Sequence, residues 1–168
     1  MTKVIVIDSR LCIGCKACEV ACEREHDGTC HIKVYDLSDF KLFIPFNCRH
    51  CAKAPCVTVC PVNACRYDAE GGVYIDPLLC IGCRLCASVC PFGIPEFDAA
   101  RKVVTKCDLC YYRRKDNLPP ACATTCPTGA LRFADISEIA EERKLKTVYQ
   151  TASSAEKSSE VRNPPALI

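Results

Sequence analysis

The stretch Cys80-Ile-Gly-Cys83-Arg-Leu-Cys86-Ala-Ser-Val-Cys90-Pro91 spaces four thiols in a C-x2-C-x2-C-x3-C run. An earlier block, Cys12-Ile-Gly-Cys15-Lys-Ala-Cys18-Glu-Val-Ala-Cys22, repeats the spacing. Two further blocks vary it: Cys48, Cys51, Cys56 and Cys60 widen one gap, and Cys107, Cys110, Cys122 and Cys126 place a loop between two pairs. Three blocks end in Cys-Pro, at Pro61, Pro91 and Pro127, whereas the first continues into Glu23. The four blocks take up sixteen of the eighteen cysteines in a chain of 168 residues.

This is the ligand spacing of 4Fe-4S centres. Thiolates two residues apart let a tight loop wrap one corner of a cubane, and Gly14 and Gly82 let the backbone approach it without a Cβ in the way. The proline after the fourth cysteine redirects the chain, having no N–H to continue a helical ladder. In two-cluster ferredoxins the fourth cysteine of each run ligates the other run's cluster, so runs work in pairs. Blocks two and three are neighbours and form one pair; blocks one and four form the other, with the first pair inserted between them. The expected fold class is α+β, built as two ferredoxin-like two-cluster units, one inserted into the other, with little regular secondary structure.

Other uses of cysteine fit less well. Disulfide frameworks belong to secreted chains carrying a signal peptide, and residues 1–8 alternate Val and Ile like a strand instead. Structural zinc takes four thiolates, but its pairs are usually separated by longer fingers and do not share a three-cysteine loop. No run approaches the roughly eighteen apolar residues of a membrane helix, so membrane attachment is expected only through another subunit. The formal charge is +2 with every thiol neutral; four oxidised clusters with their thiolates bring the loaded protein to about −6. That balance, with no exposed aromatics interleaved among the basic residues, excludes nucleic acid as a partner. Lys16, Arg24, Arg49, Lys53, Arg84, Lys106, Arg113, Arg114 and Lys115 lie among the ligands, where positive charge raises reduction potentials. For any one of them a solvated surface position is the ordinary reading.

The expected organisation is residues 1–30 with 100–144 as a split first unit, 45–99 as the inserted second unit and 31–44 as a connecting strand or hairpin. Residues 145–168 form a polar tail, either disordered or a partner-docking arm. Residues 64–67 and 73–75 flank Glu70-Gly71-Gly72 as a hairpin, and Asp76-Pro77 starts a short helical segment leading into Cys80. Leu131, Arg132 and Phe133 read as a strand mirroring residues 4–7. Asp135 or Ser137 caps a helix reaching about Lys144. Cys30 and Cys65 remain as free thiols. His26, His31 and His50 lack a second histidine at ligand spacing, and His50, between two ligands, is the one positioned to hydrogen-bond a cluster sulfur.

Three segments carry a family resemblance: Pro45-Phe-Asn-Cys-Arg-His-Cys-Ala-Lys-Ala-Pro-Cys-Val-Thr-Val-Cys-Pro, the third block with its sequel Phe92-Gly-Ile-Pro-Glu-Phe, and Lys106-Cys-Asp-Leu-Cys with Pro120-Ala-Cys-Ala-Thr-Thr-Cys-Pro-Thr-Gly-Ala-Leu. Over about residues 3–135 the chain resembles the four-cluster electron-transfer subunits of molybdenum and tungsten oxidoreductases, of the formate dehydrogenase, dimethyl sulfoxide reductase and aldehyde oxidoreductase types. The resemblance implies four 4Fe-4S clusters. Their ligand sets would be Cys12, Cys15, Cys18 and Cys126; Cys22, Cys107, Cys110 and Cys122; Cys48, Cys51, Cys56 and Cys90; and Cys60, Cys80, Cys83 and Cys86. It also implies no catalytic residue of the chain's own and a large catalytic partner subunit carrying a tungsten or molybdenum pterin.

The leading expectation is therefore a subunit that relays single electrons between that partner and a second redox subunit, flavin-bearing or other. No Gly-rich dinucleotide fingerprint is present, so flavin or nicotinamide chemistry would belong to a neighbour. Two alternatives stand beside it: a free-standing polyferredoxin shuttle, and an electron-conducting scaffold that assembles with further copies of itself. A cytoplasmic complex is the expected setting, with export alongside a partner as the alternative.

Overall fold

The computed structural model describes residues 3–162. Its helices follow the cysteine blocks. α1 (Ala17–Glu25), α2 (Pro55–Thr58), α3 (Leu85–Val89) and α5 (Ala121–Thr125) each begin one residue before the third cysteine of a block. Cys18, Cys56, Cys86 and Cys122 thus occupy the second helical position, where backbone N–H groups have no intrahelical acceptor. The fourth cysteine lies four residues on. Where proline follows, the helix stops after four or five residues; where Glu23 follows, α1 runs to nine. That difference is what proline's missing N–H and its restriction of the preceding residue dictate. A further short helix, α4 (Tyr111–Lys115), fills the loop inside the fourth block.

Eight strands make four two-stranded antiparallel sheets among the described residues. β1 (Lys3–Ile7) pairs with β8 (Leu131–Asp135), Ile5 opposite Phe133, so the two ends of the cysteine-bearing region meet. β2 (Lys33–Leu37) and β3 (Leu42–Phe46) form one hairpin, and β4 (Cys65–Tyr67) and β5 (Val73–Ile75) another. Asp68 closes the latter turn, its carboxylate accepting from the N–H groups of Glu70 and Gly72, both at 2.8 Å. β6 (Glu96–Asp98) and β7 (Val103–Thr105) form a hairpin that alternation alone does not signal, since each strand has three residues. Its turn is set by Asp98, which accepts from the N–H groups of Ala100 and Arg101. The architecture is α+β.

Two apolar cores result. One gathers Cys18, Cys22, Ile32, Val34, Cys122 and Leu131; the other gathers Ala54, Cys56, Cys65, Val73, Cys86 and Val104. α1 packs on α5 at the first, and α2 on α3 at the second. Buried Arg114 joins them: from α4 it pairs with Asp68 and, at 2.7 Å, with Glu70 of the β4–β5 turn, while its Nε donates to the Leu109 carbonyl at 2.8 Å. Tyr74 and Tyr111 stack beside this contact with ring centroids 5.0 Å apart.

Two expectations are corrected. Asp76-Pro77 starts a turn and no helix: Asp76 Oδ1 accepts from Leu78 N–H and its carbonyl from Cys80 N–H, which delivers Cys80 directly to its loop. The helix expected to finish near Lys144 is α6 (Ile136–Arg162), with 27 residues. Its start is a capping box, in which Asp135 accepts from Ser137 N–H at 2.9 Å and Glu138 reaches back to Asp135 N–H at 3.3 Å. The Ser, Ala, Lys and Glu composition beyond Leu145 continues as helix, because straight-chain residues and alanine have good helical propensity even where no core is available. Pro164 and Pro165, the end of the expected tail, lie outside the described residues.

Candidate metal centres

The C-x-x-C loops share one backbone device. In the first such loop of every block the second intervening residue has positive φ: Gly14 at 71°, His50 at 43°, Gly82 at 69° and Leu109 at 61°. The left-handed conformation turns successive N–H groups to the concave side of the loop, the geometry of an anion-binding nest. Glycine adopts it freely; His50 and Leu109 hold it against the steric cost of a Cβ. Lys16 and Arg84, which precede α1 and α3, are also left-handed at 57° and 62°. The role of Gly14 and Gly82 is broader than close approach to a cluster. A Cβ on Gly14 would lie 2.7 Å from the Phe43 ring, and one on Gly82 would overlap the Lys102 carbonyl oxygen.

The loops and helices bring thiols from different blocks around common hollows. Cys48, Cys51, Cys56 and Cys90 line one. Cys60, Cys80, Cys83 and Cys86 line another. Cys12, Cys15, Cys18 and Cys126 line a third. Cys22 and Cys122 meet in the first core, where α1 packs on α5; burial raises the Cys122 and Cys107 thiols, with Cys110 and Cys22 adding to the effect on Cys122, and Cys48 and Cys122 to that on Cys107.

Backbone N–H groups point at candidate ligand sulfurs, three from outside the loops and His50 from within its own. His31 N–H donates to Cys22 Sγ at 3.2 Å, Val104 to Cys80 at 3.4 Å, Leu131 to Cys126 at 3.4 Å and His50 to Cys48 at 3.5 Å. Burial pushes the Cys18 and Cys122 thiols up to about 12 and Cys86 to about 11. A set of buried thiols with such values carries little thiolate at neutral pH by itself, and binding metal must displace their protons. Cys56 and Cys65 depart from this as an interacting pair in the second core, one thiol eased toward ionisation as the other is held back from it. The leftover Cys65, only 2 % exposed, thus adjoins a candidate ligand. Cys30, the other extra thiol, donates to the Ile32 carbonyl at 2.7 Å.

The histidines divide differently from expectation. His26 is the imidazole beside a candidate ligand, with Nδ1 2.8 Å from the Cys22 carbonyl oxygen and 3.6 Å from Cys22 Sγ. Burial opposes its charge, yet Asp108, 2.9 Å from Nε2, together with Cys22 raises it to about 11. His31 packs edge-on against it and is pushed down to about 4 by its own burial and by His26. The His50 ring accepts from Val73 N–H at Nδ1, 3.0 Å away, which places its proton on Nε2. His50 lines the Cys48 hollow, and Nε2 has no partner there among the described residues. Sequence spacing cannot separate these roles, because Asp108 is 82 residues from His26.

The residues fit 4Fe-4S clusters. Four thiols line each of three hollows, N–H donors reach several of the sulfurs, and an orphan donor at His50 adjoins the hollow of Cys48. Residues 40–136 match the family described as 4Fe-4S dicluster domain, and residues 10–25 match a 4Fe-4S binding domain. The sequence is 36% identical to a component of the anaerobic dimethyl sulfoxide reductase of Haemophilus influenzae, over 88% of this chain and 78% of that protein. It is 35% identical to the Escherichia coli protein of the same name, over 79% of this chain and 73% of the relative. It is 32% identical to formate hydrogenlyase subunit 2 of Escherichia coli, over 93% of this chain and 99% of the relative. The class is therefore an iron-sulfur protein whose chemistry is electron transfer. The chain belongs to the 4Fe-4S dicluster domain family.

Proposed function

We propose that the chain is the non-catalytic electron-relay subunit of an oxidoreductase complex whose catalytic subunit carries a molybdenum or tungsten pterin. When bound, the clusters supply one-electron transfer at potentials set by charge, hydrogen bonds to sulfur and exposure. The chain's own residues hold four of them. The ligand sets are Cys12, Cys15, Cys18 and Cys126; Cys22, Cys107, Cys110 and Cys122; Cys48, Cys51, Cys56 and Cys90; and Cys60, Cys80, Cys83 and Cys86. The observation that carries this reading is that three of these quartets, each drawn from two blocks, surround common hollows.

The same sharing argues for two ferredoxin-like units, residues 45–99 inserted between 1–30 and 100–144. The β1–β8 pairing and the two separate cores support it. The quartets at the two ends each have an exposed thiol, Cys15 and Cys83. Exposed Ile13 and Ile81 sit beside them in matching loops, with exposed Lys16 and Arg84 on the other side of each thiol, a face that an acidic redox partner can approach closely. The other two quartets expose none of their cysteines in that way and serve as the interior of the path. Among the described residues no helix is long and apolar enough to cross a membrane.

The relatives named as components of dimethyl sulfoxide reductase and formate hydrogenlyase favour a docked role over a free shuttle. Anaerobic purification of the native protein tests the proposal. A large molybdenum- or tungsten-containing subunit should co-purify in constant ratio, and a stable monomer able to reduce several unrelated enzymes would overturn the docked role.

A further inference from the structure

Lys106 is 5 % exposed and lies between β7 and Cys107. Its Nζ donates to the Val73 carbonyl and, at 2.9 Å, to the Cys107 carbonyl, and it lies 3.8 Å from Cys48 Sγ. An ammonium has three protons, and three acceptors surround this one. Two are neutral, so the charge itself is not cancelled by them.

The other buried cations of the same region have acids. Arg114 is paired with Asp68 and Glu70, and His26 with Asp108. Among the described residues no carboxylate pairs with Lys106. A buried charge without a counter-charge is strongly unfavourable, so a native structure that keeps one has a counter-ion to offer it. Beside the two carbonyls, the group that Nζ meets is the Cys48 thiol. Lys106 lines the hollow of Cys48, Cys51, Cys56 and Cys90, and it is joined by one peptide bond to Cys107 of the neighbouring quartet.

We propose that Lys106 is a fixed cation shared by the two interior clusters, those of Cys48, Cys51, Cys56 and Cys90 and of Cys22, Cys107, Cys110 and Cys122. It raises both reduction potentials and so keeps the step between the two units near balance. This rests on the ligand assignment above. With clusters bound, the step between them would move one electron, oxidising one as the other is reduced, with no bond made or broken. The two outer clusters, ligated by Cys12, Cys15, Cys18 and Cys126 and by Cys60, Cys80, Cys83 and Cys86, lie outside its contacts.

The test is a potentiometric titration of the anaerobic holoprotein followed by electron paramagnetic resonance, after iron and sulfide content has been measured. Lys106→Gln keeps a polar group and removes the charge; Lys106→Arg keeps the charge. In the Gln variant the midpoints of two of the four clusters should fall, each by roughly tenfold in the equilibrium constant for reduction, or about 59 mV for a one-electron couple. The Arg variant should keep the wild-type midpoints within a fraction of that shift. Unchanged midpoints in a fully loaded Gln variant would overturn the proposal. Should the Gln variant lose iron, an Arg variant that retains it supports the charge role, and one that loses as much overturns it. Wild-type protein lacking iron and sulfide would instead sink the cluster assignment, so the two failures are distinguishable.

Discussion

Cys56 and Cys65 sit in one core, both buried and acting on one another's ionisation, yet only Cys56 belongs to a cysteine block. Replacing them separates ligand from support. Cys56→Ala should cost one cluster, about four iron atoms per chain, whereas Cys65→Ala should retain the full iron content; iron analysis with electron paramagnetic resonance distinguishes the two. At the same scale, Gly82→Ala should reduce occupancy of its cluster more than Gly14→Ala. Both positions need positive φ, but a Cβ on Gly82 meets a backbone carbonyl, which cannot rotate aside, whereas one on Gly14 meets the Phe43 ring. Iron retention during gel filtration reads the difference. The two glycines are legible in the sequence because glycine advertises positive φ. His50 and Leu109, which hold the same place in the other two loops, are not, since nothing in their chemistry announces a left-handed residue; packing around them imposes it. The pairing of His26 with Asp108 is hidden for a similar reason, being a contact between distant blocks.

At the scale of elements, cysteine spacing and proline decide most of what forms. Cys-Pro stops three helices within about a turn, and the exception at Glu23 yields the longer α1. The β4–β5 hairpin and the strand opposite residues 4–7 can be read from alternation and glycine turns. β6 and β7 cannot, because three-residue strands barely establish a period. α6 runs past its expected end because polar composition does not stop a helix, whereas glycine or proline does. How elements hold each other is less visible still. Arg114, one of several basic residues near ligands in the sequence, is the buried pin between α4 and the β4–β5 turn. Arg114→Met strands Asp68, whose side chain is 4 % exposed, without its cation. Breaking such a buried pair should destabilise the holoprotein by about 3 kcal/mol. Anaerobic denaturant titration followed by cluster absorbance measures this, and a change below about 0.5 kcal/mol would show that the pin is dispensable.

For the molecule as a whole, cysteine replaces the core that this length would ordinarily build from Leu, Ile and Phe. Half of the buried members of each apolar core are cysteines. Without metal, these thiols are modest apolar groups around hollows, and the short helices and three-residue strands have little else to fold upon. Cluster binding and folding should therefore be one process. Oxidative removal of the clusters under chelation should abolish most of the far-ultraviolet circular dichroism outside α6, and native-like secondary structure in the cluster-free chain would show that the polypeptide folds unaided. The most direct measurement of the central claim is iron and acid-labile sulfide per chain, with Mössbauer spectroscopy, on protein isolated without oxygen. The account predicts about sixteen of each, all in cubane centres. Colourless protein without inorganic sulfide, its thiols bound to zinc or joined as disulfides, would contradict it.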